Sequence, residues 1–165
     1  MRNKILLVAG IVFAAGLMAV IVNRGNAPET QYGTSPNASK ADWLTDFKIA
    51  QEKAQAQNKP LLVDFTGSDW CPPCIMLEKQ VFSQPEFAEY AVKNVVLVKI
   101  DFPRRKPLPE AQQAANDALA QRYGIRGFPT ILVLDPAGTV KGQLGYMLGG
   151  PAKFTAKIEE ILGKS

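Results

Sequence analysis

The stretch GSDWCPPCIMLEKQVF, Gly67 to Phe82, contains both cysteines of the chain, Cys71 and Cys74, behind a tryptophan and around two prolines. The apolar run LLVDFT from Leu61 leads into it and reads as a strand, GSDW reads as a loop, and the cysteines open a helix. A helix N-terminus presents backbone N–H groups without partners. Cys71 placed there has its thiolate stabilised by those groups and by the helix dipole, which lowers its pKa from about 8.5. Cys74, one turn further in, is positioned to attack a mixed disulfide formed on Cys71. Pro72 and Pro73 each remove one N–H that would otherwise solvate the Cys71 sulfur, which argues against a very acidic thiolate and leans the pair towards a reductant.

The rest of the composition narrows the chemistry. No histidine is present, which removes Ser-His and Cys-His nucleophile pairs and every imidazole-containing metal site. Two thiols fall short of the ligands of a structural zinc site, and Ile75 stands where haem attachment needs a histidine. Two cysteines are also too few for a disulfide-stapled scaffold. The pair therefore reads as the function, and no bound cofactor is expected. A length of 165 residues, 47% of them hydrophobic, suits one domain with a core. The net charge of +4 arises largely from Arg2, Lys4 and Arg24, and the remaining charges nearly balance. That balance gives no case for nucleic acid as a partner. The run Arg104–Lys106, set between prolines, reads as a solvated loop.

From Ile5 to Val22 the chain reads ILLVAGIVFAAGLMAVIV, eighteen residues without a charge. This is long enough for a transmembrane helix and longer than the core of a signal peptide. Residues 1–24 are thus expected to form an uncleaved anchor; Pro28 disfavours cleavage after Ala27. Arg2 and Lys4 precede the span and only Arg24 follows it, so the amino terminus stays in the cytoplasm and the domain faces outward, into the periplasm of a bacterium. Were the segment cleaved, the domain would be periplasmic or secreted. Residues 25–40, rich in Asn, Gly, Pro, Ser and Thr, read as a flexible linker.

Residues 41–165 read as the soluble domain. Ser39 and Asp42 form a capping-box-like start to a helix carrying Trp43, Phe47, Ala50 and Ala54, closed by Pro60. A helix restarts behind Ser83 and Pro85, NVVLVKID (Asn94–Asp101) is a buried strand, and a helix spans about Glu110 to Tyr123. TILVLD and TVKGQLGY are strands joined by the turn DPAG, and the last helix opens at Pro151 with Phe154, Ile158, Ile161 and Leu162 on one face. The order implies an α/β domain with a mixed central sheet flanked by helices. Gly142, Gly145, Gly149 and Gly150 lack phosphate-loop spacing and serve turns.

VDF before WCPPC, with YGIRGFPT (Tyr123–Thr130) downstream, resembles the thioredoxin-fold thiol:disulfide oxidoreductase family over about Trp43 to Gly163. The wider pattern through LE, VFS and PEF is similar to membrane-associated bacterial members, including the C-terminal domain of the transmembrane thiol:disulfide interchange protein. The resemblance implies a thioredoxin-like fold and a redox-active disulfide between Cys71 and Cys74. It makes Asp64 the buried acid that takes the proton of the resolving thiol, and Glu78 an acid that tunes the thiols. Read alone, Asp64 has as its lesser alternative a solvated or capped strand acid, and Glu78, at helical spacing from both cysteines, is equally an exposed glutamate paired with a lysine. Trp70 is implied in substrate docking, beside Pro72 and Pro73, or is a half-buried packing aromatic. Phe128 and Pro129 match the family's loop facing the cysteines, whose cis proline exposes backbone to an extended substrate.

The sequence also departs from the family. Seven positions separate Asp64 from Cys71, one more than the common pattern, so TGSD holds an extra residue. The position aligned with the family's lysine beside the buried acid reads Leu97, with Lys99 two residues on. The family's first strand is replaced by the linker and the Trp43 helix, and the long loop Phe102–Pro109 is a place for partner specificity. The expectation is an inner-membrane, periplasm-facing enzyme that mainly reduces protein disulfides and draws electrons from a membrane thiol-disulfide donor. The alternatives are an oxidase or isomerase using the same cysteines, and a metal-binding or adaptor module holding a soft ion such as Cu(I).

Overall fold

The structure, a computed structural model, describes residues 40–164. The expected membrane segment and nearly all of the expected linker lie outside the described residues. Among the described residues no helix is long and apolar enough to cross a membrane.

In chain order the elements are β1 (Trp43–Leu44), α1 (Phe47–Gln57), β2 (Leu61–Thr66) and α2 (Pro72–Leu77), which runs on into a π-helical turn (Glu78–Phe82). There follow α3 (Pro85–Asn94), β3 (Val96–Asp101), α4 (Glu110–Arg122), β4 (Thr130–Leu134), β5 (Val140–Leu144) and α5 (Gly150–Ile161). The strands make a five-stranded sheet in the order β1-β3-β2-β4-β5. β1, β3 and β2 run parallel, and β4 and β5 are antiparallel to their neighbours. This is the mixed sheet that the order of elements implied.

Helices cover both sides of the sheet, so β2 and β4 are buried along their whole length, which explains why LLVDFT and TILVL read as mainly apolar runs without alternation. Alternation divides their side chains between two clusters. Leu62, Leu97, Ile131 and Val133 meet Leu77, Phe82, Phe87 and Phe154 from the side of α2, α3 and α5. Leu61, Val63, Phe65, Val98 and Ile100 meet Phe47, Ala50 and Leu119 from the side of α1 and α4. The polar edge strand β5, VKGQL, stays largely open to solvent.

The start of the domain differs from the sequence reading. Helix α1 begins at Phe47, where the Asp46 carboxylate accepts the Ile49 N–H at 3.0 Å, and not near Asp42. Trp43 and Leu44 instead pair with Leu97 and Val98, so the first strand read as absent is present in two residues. The four-residue spacing of Trp43 and Phe47 imitates a helix, but the two rings enter opposite clusters. Trp43 sits 4.9 Å from the Phe82 ring and 6.3 Å from that of Phe87.

Asn116 is the buried residue of α4, and its side chain donates to the Asp101 carbonyl at 2.8 Å and accepts from Gln112 at 2.9 Å. This ties α4 to the end of β3. Asn116→Ala removes the donor from a carbonyl under the helix and is expected to lower stability by about 1–3 kcal/mol, measured by urea denaturation.

Candidate active site

Beyond Thr66 the chain turns through Gly67–Trp70 and enters α2 with Cys71 as its N-cap residue. The Gly67 carbonyl accepts the N–H groups of Cys71 at 2.9 Å and Trp70 at 3.2 Å, closing the turn. Pro72 and Pro73 occupy the first turn, where a helix has N–H groups to spare. Cys71 and Cys74 are joined in a disulfide with Cα atoms 5.3 Å apart, and only 3% and 4% of the two residues is exposed. Pro72 is exposed and Pro73 half-buried.

The extra residue of the loop is absorbed by hydrogen bonds to the segment after β3. Ser68 donates through its N–H and its hydroxyl to the Asp101 carboxylate, at 2.9 and 2.6 Å. Asp69 accepts the backbone N–H groups of Arg104 at 3.0 Å and Arg105 at 2.7 Å, and the Arg104 bond first of all holds its carboxyl below the ordinary range. The Trp70 indole N–H donates to the Phe102 carbonyl at 2.7 Å. Above Gly67 the indole comes so near that a Cβ there would lie 2.5 Å from it, which only glycine avoids.

Asp64 is not displaced by the longer loop. It lies on β2 with 3% exposure, on the face shared with Leu62 that α2 covers. Its Oδ1 has no hydrogen-bond partner among the described residues. Burial raises its pKa from 3.8 to about 7; the Lys99 charge opposes the shift, and Glu78 and Asp101 add to it. Lys99 stands directly opposite Asp64 in the parallel register of β2 and β3, so Lys99, and not the Leu97 position, supplies the lysine beside the acid. Its Nζ binds Glu78 Oε2 at 2.7 Å, while Ser83 donates to Glu78 Oε1 at 3.0 Å. Glu78 begins the π-helical turn, closed by the Ser83 N–H bonding back to the Glu78 carbonyl at 2.8 Å. Cys74, Glu78, Lys99 and Thr66 line an open pocket of about 450 Å³.

Across from α2, the Phe128–Pro129 peptide bond is cis. The Phe128 ring stacks on Phe102 at 5.0 Å and meets the Trp70 ring edge-on at 6.0 Å. Thr130, the first residue of β4, ties down this loop by donating to the Gly127 carbonyl at 2.7 Å. The structure thus gathers Cys71, Cys74, Trp70, Pro72, Pro73, Phe128 and Pro129 on one edge, with Asp64 beneath α2 and Glu78 on its flank. Sequence reading missed Ser68, Asp69, Asp101 and Phe102 as the frame of the site. Their signal was weak, since Ser68 and Asp69 look like ordinary turn formers, Asp101 like the end of a strand, and Phe102 acts through its backbone carbonyl.

The family model of the thioredoxin-like domain matches residues 47–162. The chain belongs to the thioredoxin-like family. It is 32% identical over 125 residues to the disulfide bond reductase DsbH of Chlamydia pneumoniae, covering 76% of this chain and 75% of that protein. A solved structure of a DsbH oxidoreductase superposes with a TM-score of 0.73 at 31% identity, over 79% of this chain and 90% of that one. The C-terminal domain of DsbD from Neisseria meningitidis superposes with a TM-score of 0.53 at 26% identity, over 68% and 91%. Against the thiol:disulfide interchange protein DsbD of Cronobacter sakazakii the chain is 38% identical over 104 residues, 62% of its own length but only 17% of that protein's. With the CxxC disulfide in this fold and these relatives, the chain is a Dsb-type thiol:disulfide oxidoreductase.

Two outcomes test the geometry. Unfolded, Asp64 ionises near 3.8, whereas folded it keeps its proton to about pH 7. Its contribution to stability is therefore full below about pH 4 and falls, by on the order of 4 kcal/mol, as pH rises towards 7. Asp64→Asn is expected to abolish that fall in urea denaturation of the oxidised protein; an unchanged decline would remove Asp64 as its cause. Gly67→Ala is expected to push the indole off the Phe102 carbonyl, seen as a shift in tryptophan emission with a stability loss of about 1–3 kcal/mol.

Proposed function

We propose that the chain is a membrane-anchored, periplasm-facing enzyme that mainly reduces protein disulfides. The observation that carries this is the Cys71–Cys74 pair at the start of α2, with Pro72 and Pro73 between the cysteines and a buried Asp64, its pKa raised to about 7, on the covered sheet face. The reduced Cys71 thiolate attacks one sulfur of a substrate disulfide, forming a mixed disulfide and expelling the other sulfur as a thiolate that takes a proton from water. Asp64, in the ionised form it reaches near pH 7, then takes the proton of Cys74, whose thiolate attacks the Cys71 sulfur, forming the Cys71–Cys74 disulfide and expelling the second substrate sulfur as a thiolate that takes a proton from water. Two electrons have passed to the substrate, and a membrane dithiol donor returns them.

Several features support the direction. The proline pair withholds two N–H groups from the Cys71 thiolate, so the reduced form lacks the stabilisation that makes a strong oxidant. Glu78 and Lys99 set the field around Asp64 and so tune proton transfer. Trp70, Phe128 and Pro129 form the surface on which an extended substrate segment docks. A relative named for disulfide reduction and another named for interchange agree with a reductase fed by a membrane partner. The uncharged run Ile5–Val22 supports the anchor, and the mass of the protein recovered from membranes tests its retention.

The deciding measurement is the reduction potential of the Cys71–Cys74 pair. A value near or below about −230 mV is expected, and one above about −180 mV would assign an oxidase or isomerase instead. Cys74→Ser is expected to accumulate mixed disulfides on Cys71, resolved by non-reducing electrophoresis; an absence of trapped protein partners would overturn the proposed cycle.

A further inference from the structure

The run Arg104–Lys106, a solvated loop by sequence, lies against Trp70, the residue before Cys71. The Arg104 guanidinium carbon is 3.6 Å from the centre of the Trp70 ring, and Trp70 adjoins Cys71. The loop is held there through main-chain groups, the N–H of Arg104 and Arg105 on Asp69 and the Phe102 carbonyl on the indole. The side chains of Arg104, Arg105 and Lys106 are consequently left exposed. From the facing loop comes Arg126, also exposed, two residues before Phe128, whose ring stacks on Phe102. None of these four cations is in an ion pair among the described residues. Asp69, whose carboxylate offsets part of the charge, is occupied by the two N–H groups.

We propose that Arg104, Arg105, Lys106 and Arg126 form a cationic rim that selects acidic protein substrates, meaning extended segments with Asp or Glu close to the target cysteine. This rests on the reductase reading and names its substrate class. Stacking on Trp70 fixes the Arg104 plane and leaves its N–H edges free, the arrangement that takes a carboxylate in two parallel bonds. Much of the ordering cost of a long side chain has thus been met before the substrate arrives. The charge is also local: beyond the N-terminal segment the chain is close to neutral, so the rim acts on what docks at Cys71 and not on distant surfaces. That placement favours a polypeptide over a membrane surface, since Arg104 stacks on the ring next to Cys71 and Arg126 lies two residues before Phe128.

The test uses the full chain, reduced and freed of reductant, in single turnovers with three disulfide peptides that differ only in having Glu, Gln or Lys on either side of the cystine. The Glu peptide is expected to react about ten-fold faster than the Lys peptide at low ionic strength, at the low end of electrostatic steering. The preference should collapse in about 1 M salt, where charges are screened within roughly 3 Å. Arg105→Glu with Lys106→Glu should reduce or invert it, while the salt series on the unaltered chain stands without any variant. Equal rates for the three peptides would overturn the rim and leave the reductase standing. No reaction with any peptide would overturn both. Equal peptide rates together with loss of binding to phosphatidylglycerol vesicles in the double variant would reassign the cations to a lipid surface.

Discussion

The parallel register of β2 against β3 sets Asp64 opposite Lys99 and Thr66 opposite Asp101, on the face that α2 covers. From that alignment the polar architecture follows. Lys99 brings a positive charge that opposes, without cancelling, the rise that burial imposes on the Asp64 pKa, and reaches Glu78 on the helix above. Asp101, at the end of the same strand, receives Ser68 and so fixes where the loop before the cysteines begins. A slip of one residue would turn Lys99 and Asp101 to the far side of the sheet, among Val63 and Phe65, and leave both the acid and the loop without their partners.

Around the disulfide, the loops are joined by hydrogen bonds in which a side chain of one segment meets a group of the other. The loop before Cys71 and the loop after β3 are joined through Ser68, Asp69 and Trp70, and the cis-proline loop closes on them through the stacked rings of Phe102 and Phe128. The sulfurs therefore sit on a frame that is complete before a substrate binds, and what a substrate meets is decided by side chains that the frame leaves over.

The architecture was legible where burial imposes a pattern. The mainly apolar runs of β2 and β4, the Pro-initiated helices and the cysteine spacing all survive as read, because each answers a local demand of the backbone or the core. Trp43 misled because its distance from Phe47 satisfies a helical period while the two rings serve different sides of the sheet. Lys99 could be assigned only with strand register known, since a pairing across strands leaves no trace in either strand alone. The frame of Ser68, Asp69 and Phe102 was hidden for the same reason: its bonds join segments some thirty residues apart, several through backbone atoms that every residue possesses.

The π-helical turn after α2 acts as a fixed phase between two ends of one helix. On its near side stand Cys74 and Leu77; on its far side Val81 and Phe82 enter the core, and α3 follows with Phe87. Each residue of a helix advances the chain by about 100°, so losing one residue from this turn would restore a regular helix and rotate all that follows by that amount. Either the aromatic cluster or the cysteines would then point the wrong way. The segment between Glu78 and Phe82 is thus a length that evolution can substitute but not shorten, a clockwork constraint in which one residue of chain equals the difference between a site and a core that agree and two that do not.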